Sequence, residues 1–237
     1  MEQEHFPPNK GKALTVQTES GTFARYPIRT HVIRRGESIP ALVRQYVSGK
    51  TETGDLLFFS EKIIAVCQGR AFDIGEIRPS AAARFLCRFV YKSPHGIGLG
   101  SPWTMELALR DVGPGRILFA AACAALTKPF GIRGVFYRIA GTKARAIDGP
   151  CAFTIPPYDH FAVLAPEQPD RVAEEIAALT GCGVVIIDAN DLGVDVLGRS
   201  SKDIPVSFCK QVFRDNPLGQ SRESTPICIV RKLGPAR

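Results

Sequence analysis

The 237-residue chain is 45% hydrophobic and carries a formal charge of +7, which supplies apolar material for one large core or two small ones. Its seven cysteines are scattered, odd in number and form no Cys-x-x-Cys pair, so the chain is expected to fold without disulfides in a reducing cytoplasm. The longest apolar run, Ile117 to Leu126, is about half of the roughly 20 residues that cross a bilayer. The N-terminus also lacks a basic segment followed by an apolar one, so a soluble protein with no membrane partner is expected. Arg and Lys are spread along the chain, with only Arg34-Arg35 and Arg231-Lys232 adjacent. Phosphate-bearing small molecules therefore rank above DNA or RNA as partners of the basic surface.

Residues 1–24 are polar and hold Pro7-Pro8, Gly11 and Gly21; a loose arm is expected there, with Leu14 to Thr18 able to add an edge strand, and one domain over 25–237. Tyr26 to Ile33 reads as extended. Ser38 caps a short helix to Tyr46, with Pro40 tolerated in its first turn. Leu56 to Ser60 is apolar throughout and predicts a strand covered on both faces; Ile63 to Cys67 reads as a second extended run. Ser80 is the N-cap of a helix whose Ala82, Phe85, Leu86, Phe89 and Val90 have the spacing of one buried face. The glycine-rich loop Lys92 to Gly100 follows a helix, so the strand-to-helix setting of a phosphate-binding fingerprint is absent. Trp103 to Val112 and Ile117 to Leu126 predict helices separated by Gly113-Pro114-Gly115, the second packed on the sheet. Val135 to Ile139 predicts a strand from its aromatic and β-branched content. Phe161 to Leu164 is a short apolar piece. Pro169 to Thr180 predicts a helix with Asp170 as cap, Val172, Ile176 and Leu179 inward, and Gly181 as the stop. A buried strand begins at Gly183, a helix runs through Val206 and Val212, and Ile227 to Arg231 forms a final strand.

Two acidic turns stand out. The strand Gly183 to Ile187 stops on Asp188, before Asn190-Asp191 and Gly193, and Ala144 to Ile147 ends on Asp148-Gly149-Pro150. Each reads as a polar turn, or as a carboxylate held at the open end of a rigid element. If the two face one site, their repulsion calls for a cation such as Mg²⁺ or Mn²⁺ between them. Lys143 and Arg145, just before Asp148, either bind phosphate or neutralise the aspartate.

The order of motifs from Tyr26 to Leu233 resembles the coenzyme F-420 gamma-glutamyl ligases. The resemblance is carried by Pro27 to Ile33 before a short helix, Gly54 to Glu61 followed by Gln68-Gly69-Arg70, Ile147-Asp148-Gly149, Val185 to Asn190, and the polar loop Gly219 to Pro226. It implies an α+β fold, with a mixed or antiparallel sheet and flanking helices. It also implies a ligase that takes GTP, with ATP as the alternative, and a divalent ion, and joins an anionic acid to an amino acid such as glutamate through an acyl phosphate. By the same resemblance Asp148 and Asp188 are metal ligands, with Asn190 as a further oxygen donor. Thr30, His31, Val32, Ile33, Ser60, Glu61, Gly219, Gln220, Ser221, Arg222, Glu223 and Ser224 line the nucleotide, and a homodimer is the family's assembly. The chain departs from the ligases at Val66, where they have lysine, at Ala189, where they have threonine, and at Cys151, where they have asparagine. The region after Gly198 is also shorter. These departures set a second expectation beside the first: a nucleotide- or anion-binding protein of the same fold without catalysis.

Overall fold

The structure, a computed structural model, describes residues 6–90, 98–132, 134–152, 154–190, 193–219 and 222–234. The chain divides into two units, one of residues 1–68 with 166–237 and one of residues 69–165. The loop Lys92 to Gly100 falls largely outside the described residues.

The first unit opens with a hairpin of β1 (Thr15–Thr18) and β2 (Gly21–Ile28). β1 is the edge strand that the sequence allowed at Leu14 to Thr18, and β2, on its other side, pairs with a strand some 200 residues later. Helix α1 (Ile39–Tyr46) starts after Ser38, although no Ser38 side-chain cap bond forms. Strand β3 (Leu56–Ser60) is buried on both faces as expected. The next run is helix α2 (Glu61–Cys67), not a strand. Glu61, Ile64, Ala65 and Val66 are all buried, so periodicity carries no information there and β-branched content misleads. The start signal was Ser60 at the N-cap position with Glu61 in the first turn.

In the second unit β4 (Ala71–Asp73) leads to α3 (Ala81–Leu86), where the Ser80 hydroxyl accepts the Ala83 N–H at 3.2 Å. The expected face is rotated. Ala83 and Cys87 are buried, whereas Phe85 and Phe89 are 59% and 67% exposed and meet edge to face. Helices α4 (Pro102–Val112) and α5 (Pro114–Thr127) match the sequence, divided at Gly113, whose φ of 98° suits glycine. α5, expected on the sheet, packs instead on α4 and on α6 (Val135–Ala140), which replaces the expected strand. Phe136, Tyr137 and Ala140 turn to the core at helical spacing, and Gly134 and Gly141, both at positive φ, bracket the turn. After the short α7 (Thr142–Arg145), Asp148 bridges to Val163 of β5 (Phe161–Val163), which pairs antiparallel with β4. Met105, Ile117, Ala120 and Ile147 centre this unit's core.

The chain returns to the first unit through α8 (Pro169–Thr180), β6 (Gly183–Asn190), β7 (Gly193–Arg199), α9 (Val206–Val212) and β8 (Ile227–Lys232). Asp170 does not cap α8. Gln168 holds the N-cap position, and Asp170 Oδ1 accepts the Arg199 N–H of β7 at 2.8 Å. Leu179, expected inward, is 51% exposed. β6 does not stop at Asp188 but runs on to Asn190 and doubles back as β7, with residues 191–192 outside the described part.

The sheet order is β1-β2-β8-β3-β6-β7, with β3 and β6 parallel and the other neighbours antiparallel. Val184, Ile186, Ile227 and Ile229 face the cluster built with α1, α2 and α8, while Val185, Ile187, Cys228 and Val230 face α9. This is the mixed α+β architecture the sequence led us to expect. No helix among the described residues is long and apolar enough to cross a membrane.

Gly198 fixes how α8 meets the sheet. A Cβ there would lie 2.4 Å from the Pro169 carbonyl carbon and 2.7 Å from the Asp170 nitrogen. Gly198→Ala is therefore expected to cost about 1–3 kcal/mol, read as a lower denaturation midpoint with an unchanged slope.

Candidate functional site

Strand direction gathers four of the sequence-predicted stretches at one end of the first unit's sheet. β2 and β3 both run antiparallel to β8, and β6 runs parallel to β3, so the carboxyl ends of β2, β3 and β6 and the start of β8 share one rim. Ile28 and Phe59 both register with Ile227, and Ser60 registers with Ile187. Thr30–Ile33, Ser60–Glu61, Asp188 and the loop before β8 therefore lie together, at the end of parallel strands where α/β sheets place ligands.

Hydrogen bonds lock the loops of this rim. Thr30 N–H donates to Ser224 O at 2.9 Å, the Ser224 hydroxyl donates to Thr30 O at 3.0 Å, and Ser60 N–H donates to Pro226 O at 2.9 Å. The loop is braced from inside. The buried Asn9 amide donates to Pro217 O and Thr225 Oγ1, each at 2.8 Å, and the Asn216 amide donates to Gly219 O at 2.8 Å. Gly219 has φ +83°, and a Cβ on it would come 2.7 Å from the Glu223 carboxyl carbon, so the turn favours glycine. Arg222 is exposed and Glu223 half-buried, and Gln220 and Ser221 lie outside the described residues.

The 30–33 segment splits by exposure. Thr30 is buried, with its hydroxyl donating to His31 O, and Ile33 is packed inward, while His31 and Val32 face out. His31 is the hub of a cluster that the sequence did not announce. Its Nδ1 lies 2.6 Å from the Tyr46 hydroxyl and its Nε2 lies 2.9 Å from Glu37 Oε2, while Glu37 Oε1 accepts the Arg34 N–H at 2.6 Å. Burial raises the Glu37 pKa, but the Arg34 N–H and His31 outweigh it and hold the carboxyl below its ordinary value. Both ring nitrogens of His31 are thus engaged, and it ties the rim to α1. Glu61 is buried in the first turn of α2, directly after β3.

Behind the rim, a cleft of about 260 Å³ opens between the start of α1, the end of α2 and α8, with Glu37, Ser38, Cys67 and Glu175 on its walls. Burial, with the Glu37 charge beside it, pushes the Cys67 thiol up to about 12, so it stays protonated and is no nucleophile at neutral pH.

The expected metal ligands are placed differently from one another. Asp188 lies within β6, directly opposite Asp195 of β7. Strand alternation sets it on the Ile186 face with α2, while Ala189 packs toward α9. Asn190 Oδ1 accepts the Gly193 N–H at 3.1 Å and closes the hairpin. Asp148 belongs to the second unit, where its N–H and C=O exchange 2.9 Å bonds with Val163. Among the described residues no group of three or more His, Cys, Asp or Glu side chains is assembled for an ion.

The family model of F420-0:Gamma-glutamyl ligase matches residues 27–202. The chain belongs to that family. The match takes in Thr30–Ile33, Ser60, Glu61, Asp148, Asp188 and Asn190 and stops before the Gly219–Ser224 loop, which joins the rim through its own hydrogen bonds. A relative, the "Uncharacterized protein MJ1361" of Methanocaldococcus jannaschii, is 33% identical over 78 residues, 32% of this chain and 26% of that protein. The likeness thus spans about a quarter of that relative's length. Val66 stands where the resemblance implied a lysine. The residue is 1% exposed in α2, and its carbonyl accepts the Gly36 N–H at 3.0 Å, so this position supplies packing, not charge.

Proposed function

We propose that this chain is a nucleotide- and metal-dependent ligase that joins the carboxylate of an anionic acid to the amine of an amino acid such as glutamate. The observation that carries the reading is the shared rim: Thr30–Ile33, Ser60–Glu61, Asp188 and the braced loop before β8 at the carboxyl ends of β2, β3 and β6. The acid's oxygen attacks the γ-phosphorus of GTP, or of ATP, and nucleoside diphosphate leaves. The amine, having lost a proton, then attacks the acyl phosphate carbon, and inorganic phosphate departs as the amide forms. The exposed Arg222 is suited to the charge that develops on the triphosphate oxygens. Asp188, with Asn190 beside it, is an oxygen donor set for Mg²⁺ or Mn²⁺. A bound ion would neutralise the triphosphate.

The test is phosphate release with GTP or ATP, Mn²⁺, candidate acids and glutamate. Release that needs all components together is expected. No turnover with any nucleotide, together with no metal binding, would overturn the proposal. The buried Val66, in place of the ligases' lysine, favours a second reading, a non-catalytic nucleotide-binding protein, which predicts calorimetric nucleotide binding without phosphate release.

A further inference from the structure

Helix α5 of the second unit is apolar on two faces. One face, with Ile117 and Ala120, enters the core. The other carries Leu118, Phe119, Ala122 and Leu126 at i, i+1, i+4 and i+8 and is exposed to solvent, and Phe130 follows, also exposed, in the 3-10 turn Lys128–Phe130. Phe119 is 62%, Leu126 72% and Phe130 81% exposed. A helix apolar all round is normally covered all round, and isolated exposed leucines do not form such a stripe.

The charge around the stripe says what covers it. From Gly113 to Ile147 the sequence contains no Asp or Glu, while Arg116, Lys128, Arg138, Lys143 and Arg145 stand among the described residues. At about 100° per residue, Arg116 and Lys128 fall about 120° to either side of the Ala122 line. Lys128 flanks the stripe at its carboxyl end; at the other end Arg116 is exposed but has its Nε on the Ile139 carbonyl at 2.7 Å. Aromatic and leucine side chains between cations are the pattern of a helix lying in a lipid interface, with the long basic stems reaching to headgroups. A second copy docked through the same face would set one acid-free cationic stretch against another. Anionic headgroups neutralise it instead.

We propose that the exposed face of α5 and the turn through Phe130 dock the protein on an anionic lipid surface. The absence of a spanning segment, which led the sequence reading to expect no membrane partner, does not bear on a helix that lies in the interface. The contact is independent of the ligase reading.

The experiment is flotation of the full chain with vesicles of phosphatidylcholine alone and of phosphatidylcholine mixed with phosphatidylserine, at low and high salt. Co-flotation is expected only with the anionic vesicles and is expected to weaken with salt. The double variant Phe119→Ser/Phe130→Ser, with a thermal melt as folding control, is expected to lower partitioning by at least about tenfold. Lys128→Glu, which leaves the apolar stripe intact, is expected to lower it as well. No flotation with anionic vesicles, or flotation that neither variant alters, would overturn the proposal. So would a concentration-dependent dimer in sedimentation velocity that the double variant breaks while vesicles stay unbound, because a second copy would then be the cover.

Discussion

Asp188→Asn is expected to lower metal-dependent nucleotide affinity by at least ~10–100-fold, the loss seen when groups that merely support a metal ligand are removed. The fold should not suffer. Asp188 sits directly opposite Asp195, and like charges paired across strands repel, so removing one is expected to leave the melting temperature unchanged or raise stability by roughly 0.2–1 kcal/mol. Asp195→Asn is the control. It relieves the same repulsion on a more exposed carboxylate, 3.8 Å from Lys210, and is expected to spare affinity. Calorimetric titration of Mn²⁺ and GTP into both variants separates the roles. If Asp188→Asn melts early while affinity per folded molecule is unchanged, the residue is a strand element and not a ligand.

Asp215→Ala is expected to destabilise the first unit by about 2–3 kcal/mol. Arg25 is 1% exposed, and Asp215 holds it at two points, with Val212 O and Ala13 O taking further donors at 2.9 and 2.6 Å. Cutting the pair leaves a buried guanidinium without its counter-charge. Asp215 itself is 37% exposed, so solvent screens part of the attraction, and most of the cost comes from Arg25. Burial raises the Asp215 pKa, but Arg25 and Lys12 outweigh it and hold the carboxyl below its ordinary 3.8. A depressed carboxylate stabilises fully above its unfolded value and loses that contribution as pH falls through the folded one. The gap between wild type and Asp215→Ala in urea unfolding should therefore be constant above about pH 5 and close below pH 4. A gap that persists at lower pH would place the effect elsewhere.

What the sequence disclosed followed from local chemistry. β3 and β8 were legible as apolar runs closed by turn residues, α8 from its proline start and glycine stop, α4 from the Gly113-Pro114-Gly115 break, and α5 from its alanine-rich run. α2 and α6 were misread because valine and isoleucine favour strands only weakly, and packing on all sides overrode that preference. Phe85 and Phe89 had the spacing of a buried face, yet spacing does not say which of two apolar faces turns inward. At the site, the sequence pointed to the stretches but not to their meeting, which depends on strand direction and register. The Arg25–Asp215 pair and the His31–Tyr46–Glu37 cluster had no local signal at all, since their partners are brought together by the fold.

The position of β8 bears on the order in which the molecule can be made. It is the last strand of its sheet in chain order, yet it lies between β2 and β3 and holds both. A nascent polypeptide on the ribosome thus carries two half-sheets with unpaired edges until residues 227–232 emerge. The segment 69–165 is contiguous and waits for nothing downstream. A premature stop anywhere before Ile227 leaves the inner edges of β2 and β3 open to other chains, which makes truncated products candidates for aggregation and proteolysis.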